Sequence, residues 1–170
     1  MGYYDFSDAE MKAYASNVFI KLLIGVMKKD LSHVKHFLGT ELYEEINKKV
    51  EGLKEKNLTQ IYEEPNISEC IIVNKTEYED KYTVKIKLRT KIIDYIINEK
   101  EKVISGFKKI KTGNVYYLVF EIIKQYQDYN LTPKCPNCDA SISVNESGKC
   151  EHCGSIFPLE KYDWILKSIR

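Results

Sequence analysis

Four cysteines near the C-terminal end carry the plainest chemistry in this chain: Cys135-Pro136-Asn137-Cys138 and, eleven residues on, Cys150-Glu151-His152-Cys153. Two Cys-x-x-Cys pairs this close can bring four thiolates to the corners of a tetrahedron, the arrangement zinc favours. A segment this short buries too little apolar surface to fold alone, and metal binding contributes about 10–16 kcal/mol in such modules. Four protein ligands leave no open coordination position, so the expected Zn2+ is structural. The competing reading is a pair of redox-active dithiols. Gly154 after the second pair supplies backbone freedom, and Asp139 holds the matching place after the first.

Other candidates are weaker. Lys85, Lys87, Arg89 and Lys91 alternate with Val84, Ile86, Leu88 and Ile92, which puts four cations on one face of a strand. That row suits an anionic membrane surface or a protein partner, while a solvated face with cross-strand partners such as Glu69 or Glu121 is the plainer explanation. Asp94 sits among Ile92, Ile93, Ile96 and Ile97, where burial can turn a carboxyl into a general acid or base. A structural aspartate at a strand bend competes with that role. Cys70, inside Cys70-Ile71-Ile72-Val73, reads as a small core hydrophobe. No phosphate-binding glycine loop, nucleophile elbow or His-Glu metal helix occurs.

The elements that must position these residues follow from periodicity. Ser7-Asp8-Ala9-Glu10 is a capping box, and Met11, Ala15, Val18, Phe19, Leu22 and Val26 form a helical stripe. Asp30-Leu31-Ser32 ends this helix and begins a short one through His36. A third helix follows Thr40, with Leu42, Ile46, Val50 and Leu53 inward. From Asn66 the period becomes strand-like, over 67–75, 81–97, 102–110 and 115–124, with a turn expected at Thr112-Gly113-Asn114. Tyr162, Trp164 and Leu166 alternate as a last strand would. Helices first and strands afterwards predict an α+β domain, helices packed on a bent antiparallel sheet.

The chain has 170 residues and a formal net charge of +1, so any attraction to anions must come from a local patch. Nucleic acid is disfavoured, with only Lys149 as a base between the cysteine pairs. No signal peptide or membrane-spanning segment is visible, which points to a cytoplasmic protein or one peripheral at a membrane.

With its segments placed, the chain resembles the Tim44-like domain family. That family takes its name from the C-terminal domain of the peripheral anchor of the mitochondrial import motor, and some bacterial members carry a zinc ribbon. The matching residues are Phe19-Ile20-Lys21-Leu22-Leu23, Lys29-Asp30-Leu31, Phe37-Leu38, Leu42-Tyr43, Ile93-Asp94-Tyr95, Val103-Ile104-Ser105-Gly106 and Asp163-Trp164-Ile165-Leu166. The resemblance implies a cystatin-like fold, shared with nuclear transport factor two, with an apolar pocket between helices and sheet. Phe19, Leu22, Val26, Asp94, Phe107 and Phe120 are its expected lining. It implies one domain from residues 1–130 with 160–170, and a ribbon of residues 131–159 inserted before the last strand. Family members often carry tryptophans where Val26 and Tyr117 or Leu118 stand here. The function implied is non-enzymatic binding or scaffolding; the alternative is a small-ligand-binding or pocket enzyme using Asp94.

Overall fold

The computed structural model describes residues 7–124, 153 and 164–170. Helix α1 (Asp8–Lys28) starts as its capping box requires: Ser7 Oγ accepts the Glu10 N–H at 3.1 Å. It stops where Lys29 turns left-handed, φ 55°, its N–H directed at the Gly25 and Val26 carbonyls. Met11, Ala15, Val18, Phe19, Leu22, Leu23 and Val26 are buried along one side, as the stripe predicts. The short helix expected up to His36 is only a single 3-10 turn, Lys35–Phe37. Asp30 Oδ1 takes the Ser32 N–H at 3.0 Å, favouring a turn over helix start, and Leu31, Val34 and Leu38 are drawn into the core. Helix α2 (Thr40–Glu55) then buries Leu42, Val50 and Leu53.

Four antiparallel strands follow in the order β1 (Thr59–Glu77), β2 (Lys81–Ile97), β3 (Val103–Ile123) and β4 (Ile165–Ile169). Short turns join the first three, so each strand pairs with its neighbour in sequence. Two expectations are corrected here. Strand β1 begins at Thr59, not near Ile67: the chain passes Glu63-Glu64-Pro65 through a register shift with Glu64 at φ 49°, a bulge rather than a break. And 102–110 and 115–124 are one strand, because Thr112, Gly113 and Asn114 pair with Ile92, Lys91 and Thr90 instead of turning.

Both helices lie on one face of the sheet, with α1 over β1. Val84, Ile86, Leu88 and Ile92 of β2 and Leu118, Phe120 and Ile122 of β3 meet them, all nearly or fully buried. Side chains of this size stabilise by about 1.5–3 kcal/mol each when fully buried. Strand β4 ties the other edge down: the Tyr14 hydroxyl donates to the Trp164 carbonyl at 2.7 Å, and the Gly39 N–H donates to the Leu166 carbonyl at 2.9 Å.

Candidate functional site

Two regions bring chemistry-bearing side chains together, one on each face of the sheet. On the face away from the helices, β2 presents Lys85, Lys87, Arg89 and Lys91 in a row, while every intervening side chain from Val84 to Ile92 is buried. Strict alternation puts them there. Ile71 and Val73 of β1 stand exposed on one side of the row, Val115 and Tyr117 of β3 on the other. Glu69 is the cross-strand acid that the sequence offered: its carboxylate lies 3.2 Å from Arg89 Nε and 3.7 Å from Lys87 Nζ. Glu121 pairs instead with Lys81, at 2.6 Å. Lys85 Nζ sits 5.2 Å from the Tyr117 ring centroid, a cation–π contact. Lys91 makes no ion pair among the described residues.

On the helix-facing side, Asp94 is partly buried and directly opposite Tyr62 in the β1–β2 register. Gln60, 4% exposed, donates from Nε2 to Asp94 Oδ1, and also to the carbonyls of Ile61 (3.2 Å) and Tyr95 (3.1 Å). That amide fixes the carboxyl in place. The Tyr62 N–H is held by Met27 Sδ at 3.1 Å, which pins β1 to the end of α1. Tyr116, on the same face of β3, packs its ring 5.2 Å from that of Phe19. Burial first, and the negative charge of Asp94 next, push the Tyr62 and Tyr116 phenols above their ordinary values. Both are neutral hydroxyls at physiological pH.

The structure distributes the expected pocket residues unevenly. Phe19, Leu22, Val26 and Phe120 are together, but as filled core, none more than 6% exposed. Phe107 is elsewhere, 65% exposed. The pairing of β2 with β3 jumps from Ile93↔Lys111 to Tyr95↔Gly106, so Phe107 to Ile110 are extra residues opposite Asp94 alone. The pocket expected from the family resemblance includes Phe107; the bulge carries it out to the surface. Gln60, Tyr62 and Tyr116 were missed, the first two because the Glu-Glu-Pro run hid the start of β1. Surface clefts of about 270 Å³, lined by Lys56, Asn57, Asn98, Glu99 and Lys100, and about 250 Å³, around Gly39 to Leu42 and Lys167, touch none of these residues.

Cys70 is half-buried and packs against the core, its thiol pushed up by burial and 3.9 Å from the Lys12 carbonyl oxygen. It is a protonated packing residue, as its sequence context suggested. Of the proposed zinc ligands, Cys135, Cys138 and Cys150 lie outside the described residues, and Cys153 is exposed. Among the described residues no cluster of three or more His, Cys, Asp or Glu could hold a metal. None of their helices is long and apolar enough to cross a membrane.

No curated protein matches the chain. A solved structure, the intermembrane space region of the chloroplast protein ARC6, is similar at a TM-score of 0.47 and 9% identity, with 94% of each chain covered. Residues 3–130, which hold both helices and strands β1 to β3, match one family, and the chain belongs to it: the Tim44-like domain family.

Proposed function

We propose that this chain is a non-enzymatic binding and scaffolding domain that docks through the outward face of its sheet onto an anionic membrane surface. The observation that carries this reading is the basic row set between exposed apolar side chains, with one carboxylate, Glu69, against two of its four cations. Exposed ion pairs contribute about 0–1 kcal/mol, whereas a Lys or Arg near an anionic bilayer gains about 1 kcal/mol. The row therefore loses little by exchanging Glu69 for headgroups. Tim44-like domains are generally involved in protein or membrane interactions, which supports the same class of role. On this reading the protein is cytoplasmic and reaches the membrane peripherally.

The bent sheet under two helices fits a cystatin-like fold of the nuclear-transport-factor-two type, built from residues 1–130 and 160–170. Residues 131–159 are a zinc ribbon inserted before β4, with Cys135, Cys138, Cys150 and Cys153 holding structural Zn2+. Four thiolates in paired spacing suit that ion and leave it no catalytic position.

Two experiments test this. The wild type co-sediments with phosphatidylglycerol vesicles at low salt and not with phosphatidylcholine; replacing Lys85, Lys87, Arg89 and Lys91 by Glu abolishes binding. A protein that ignores anionic vesicles, or a quadruple variant that binds as before, refutes the membrane role and leaves a protein partner for this face. For the ribbon, elemental analysis should give one zinc per chain, lost in Cys135→Ser; a metal-free protein of unchanged protease resistance removes the ion.

A further inference from the structure

We propose that the bulge of β3, Phe107-Lys108-Lys109-Ile110, is an insertion loop that places its apolar side chains at the acyl boundary of the anionic bilayer on which the basic row docks. The proposal rests on the membrane reading of that row and adds a hydrophobic anchor at one end of it.

The register fixes where the loop leaves the sheet. Gly106 pairs with Tyr95 and Lys111 with Ile93, so Phe107 to Ile110 stand opposite Asp94 alone. Residues paired across an antiparallel ladder share a face. Ile93 and Tyr95 follow Lys91 at alternate positions, so both roots of the loop, Gly106 and Lys111, sit on the outward face that carries the row. Lys91, the last cation of the row, pairs with Gly113, two residues from Lys111, which makes row and loop continuous. Strand β4 pairs only with Leu118 to Glu121, so no described strand covers this edge of β3. Gly106, at φ 80°, builds the departure into the backbone, since an added Cβ would collide with the Asp94 carbonyl oxygen. At the exit, Lys111 Nζ lies 3.4 Å from the carboxylate of Glu64 in the β1 bulge.

The loop has the composition of a bilayer interface. Phe107, Ile110 and nearby Ile104 are the most exposed large apolar side chains among the described residues, at 65%, 57% and 50%. Such a cluster marks an interaction surface. Lys108 and Lys109 stand between the two apolar ends, exposed and without an ion pair among the described residues. Lysine stems lie along an acyl boundary while their ammonium groups stay among the phosphates. An apolar groove on a protein would strip water from both ammonium groups without supplying an anion. A second copy seated symmetrically on the loop would set lysine against lysine.

The test uses the intact chain and phosphatidylglycerol vesicles. Combining Phe107→Ser with Ile110→Ser keeps every cation and should weaken partitioning at least about tenfold, leaving binding that about 0.5 M salt removes. A Phe107→Trp reporter should shift to the blue on binding and be quenched by lipids brominated in their acyl chains, over the unchanged signal of buried Trp164. Full affinity in the double-serine variant, or a reporter that brominated chains do not quench, overturns insertion and leaves the row docking by charge alone. Failure of the wild type to bind these vesicles removes the membrane reading itself, and this anchor with it. A double-serine variant whose lipid-free oligomeric state changes gives the loop to a second copy and overturns the proposal. The reporter reads depth directly, so a misfolded double variant does not blunt the test.

Discussion

Strand β2 is two regions under two rules. From Val84 to Ile92 it alternates strictly, with buried side chains, apolar except Thr90, toward the helices and basic ones away from them, and it pairs with β3 without a shift. From Ile93 to Tyr95 the polarity inverts: Ile93 and Tyr95 are buried on the outer side, and Asp94 faces inward. The inversion coincides with the register jump in β3. A period of two reports which face is covered only while a single layer covers it. Where the pattern flips, a partly buried polar group, Asp94, takes the inward place and is held there by the Gln60 amide.

The comparison is broken most sharply by emptying each half in turn. Phe120→Ala, at 0% exposure in the regular half, should cost about 3–5 kcal/mol, whereas Phe107→Ala in the bulge should fall within about 0.5 kcal/mol. Urea unfolding midpoints measure both, and comparable losses would erase the distinction. Glycines give the second contrast. Gly106 has φ 80°, and an added Cβ would collide with the Asp94 carbonyl oxygen, so Gly106→Val should cost about 2–4 kcal/mol. At Gly113, in the regular half, the nearest atom to such a Cβ is the Thr90 carbonyl oxygen at an ordinary 3.8 Å, and valine should be nearly neutral there.

The smallest effect is a pH dependence, and its sign follows from the raised phenols. A group that folding holds protonated contributes stability below its unfolded value, here 10.0 for tyrosine, and loses it as pH rises through the folded value. Wild type should therefore lose thermal stability above pH 10 more steeply than the Tyr62→Phe, Tyr116→Phe double variant. Tyrosinate absorbance should show late-ionising phenols in the wild type and fewer of them in the double variant. Asp94→Asn should lower their values only in part, since burial is the larger cause. Identical alkaline profiles would mean that both rings are ordinary surface tyrosines.

Legibility in the sequence follows the same division. The α1 stripe, the α2 face and the basic row were readable because each rests on one unbroken period over a single covered face. The start of β1 was not: Glu63-Glu64-Pro65 has the composition of a turn, and only pairing with Ile93 and Lys91 across the bulge keeps it in the sheet. Gly113 and Asn114 misled in the opposite direction, since turn-forming residues extend when a neighbouring strand supplies their hydrogen bonds. Asp94 drew notice through its isoleucine neighbours. Tyr62 and Tyr116 could not, for a tyrosine among thirteen carries no mark of which carboxylate it will face.

The closing ladder between β3 and β4 has a consequence for how this domain tolerates change. Glu121 and Ile165 are paired across it, so residues 125–163 leave and return at points one strand-spacing apart, about 4.8 Å. Both feet of the excursion are clamped by the sheet itself. Replacing those roughly forty residues by a four-residue turn would shorten the loop tenfold and recover about 2 kcal/mol of closure entropy. The sheet thus holds both ends of that segment at one edge, so a change in its length need not move β3 away from β4.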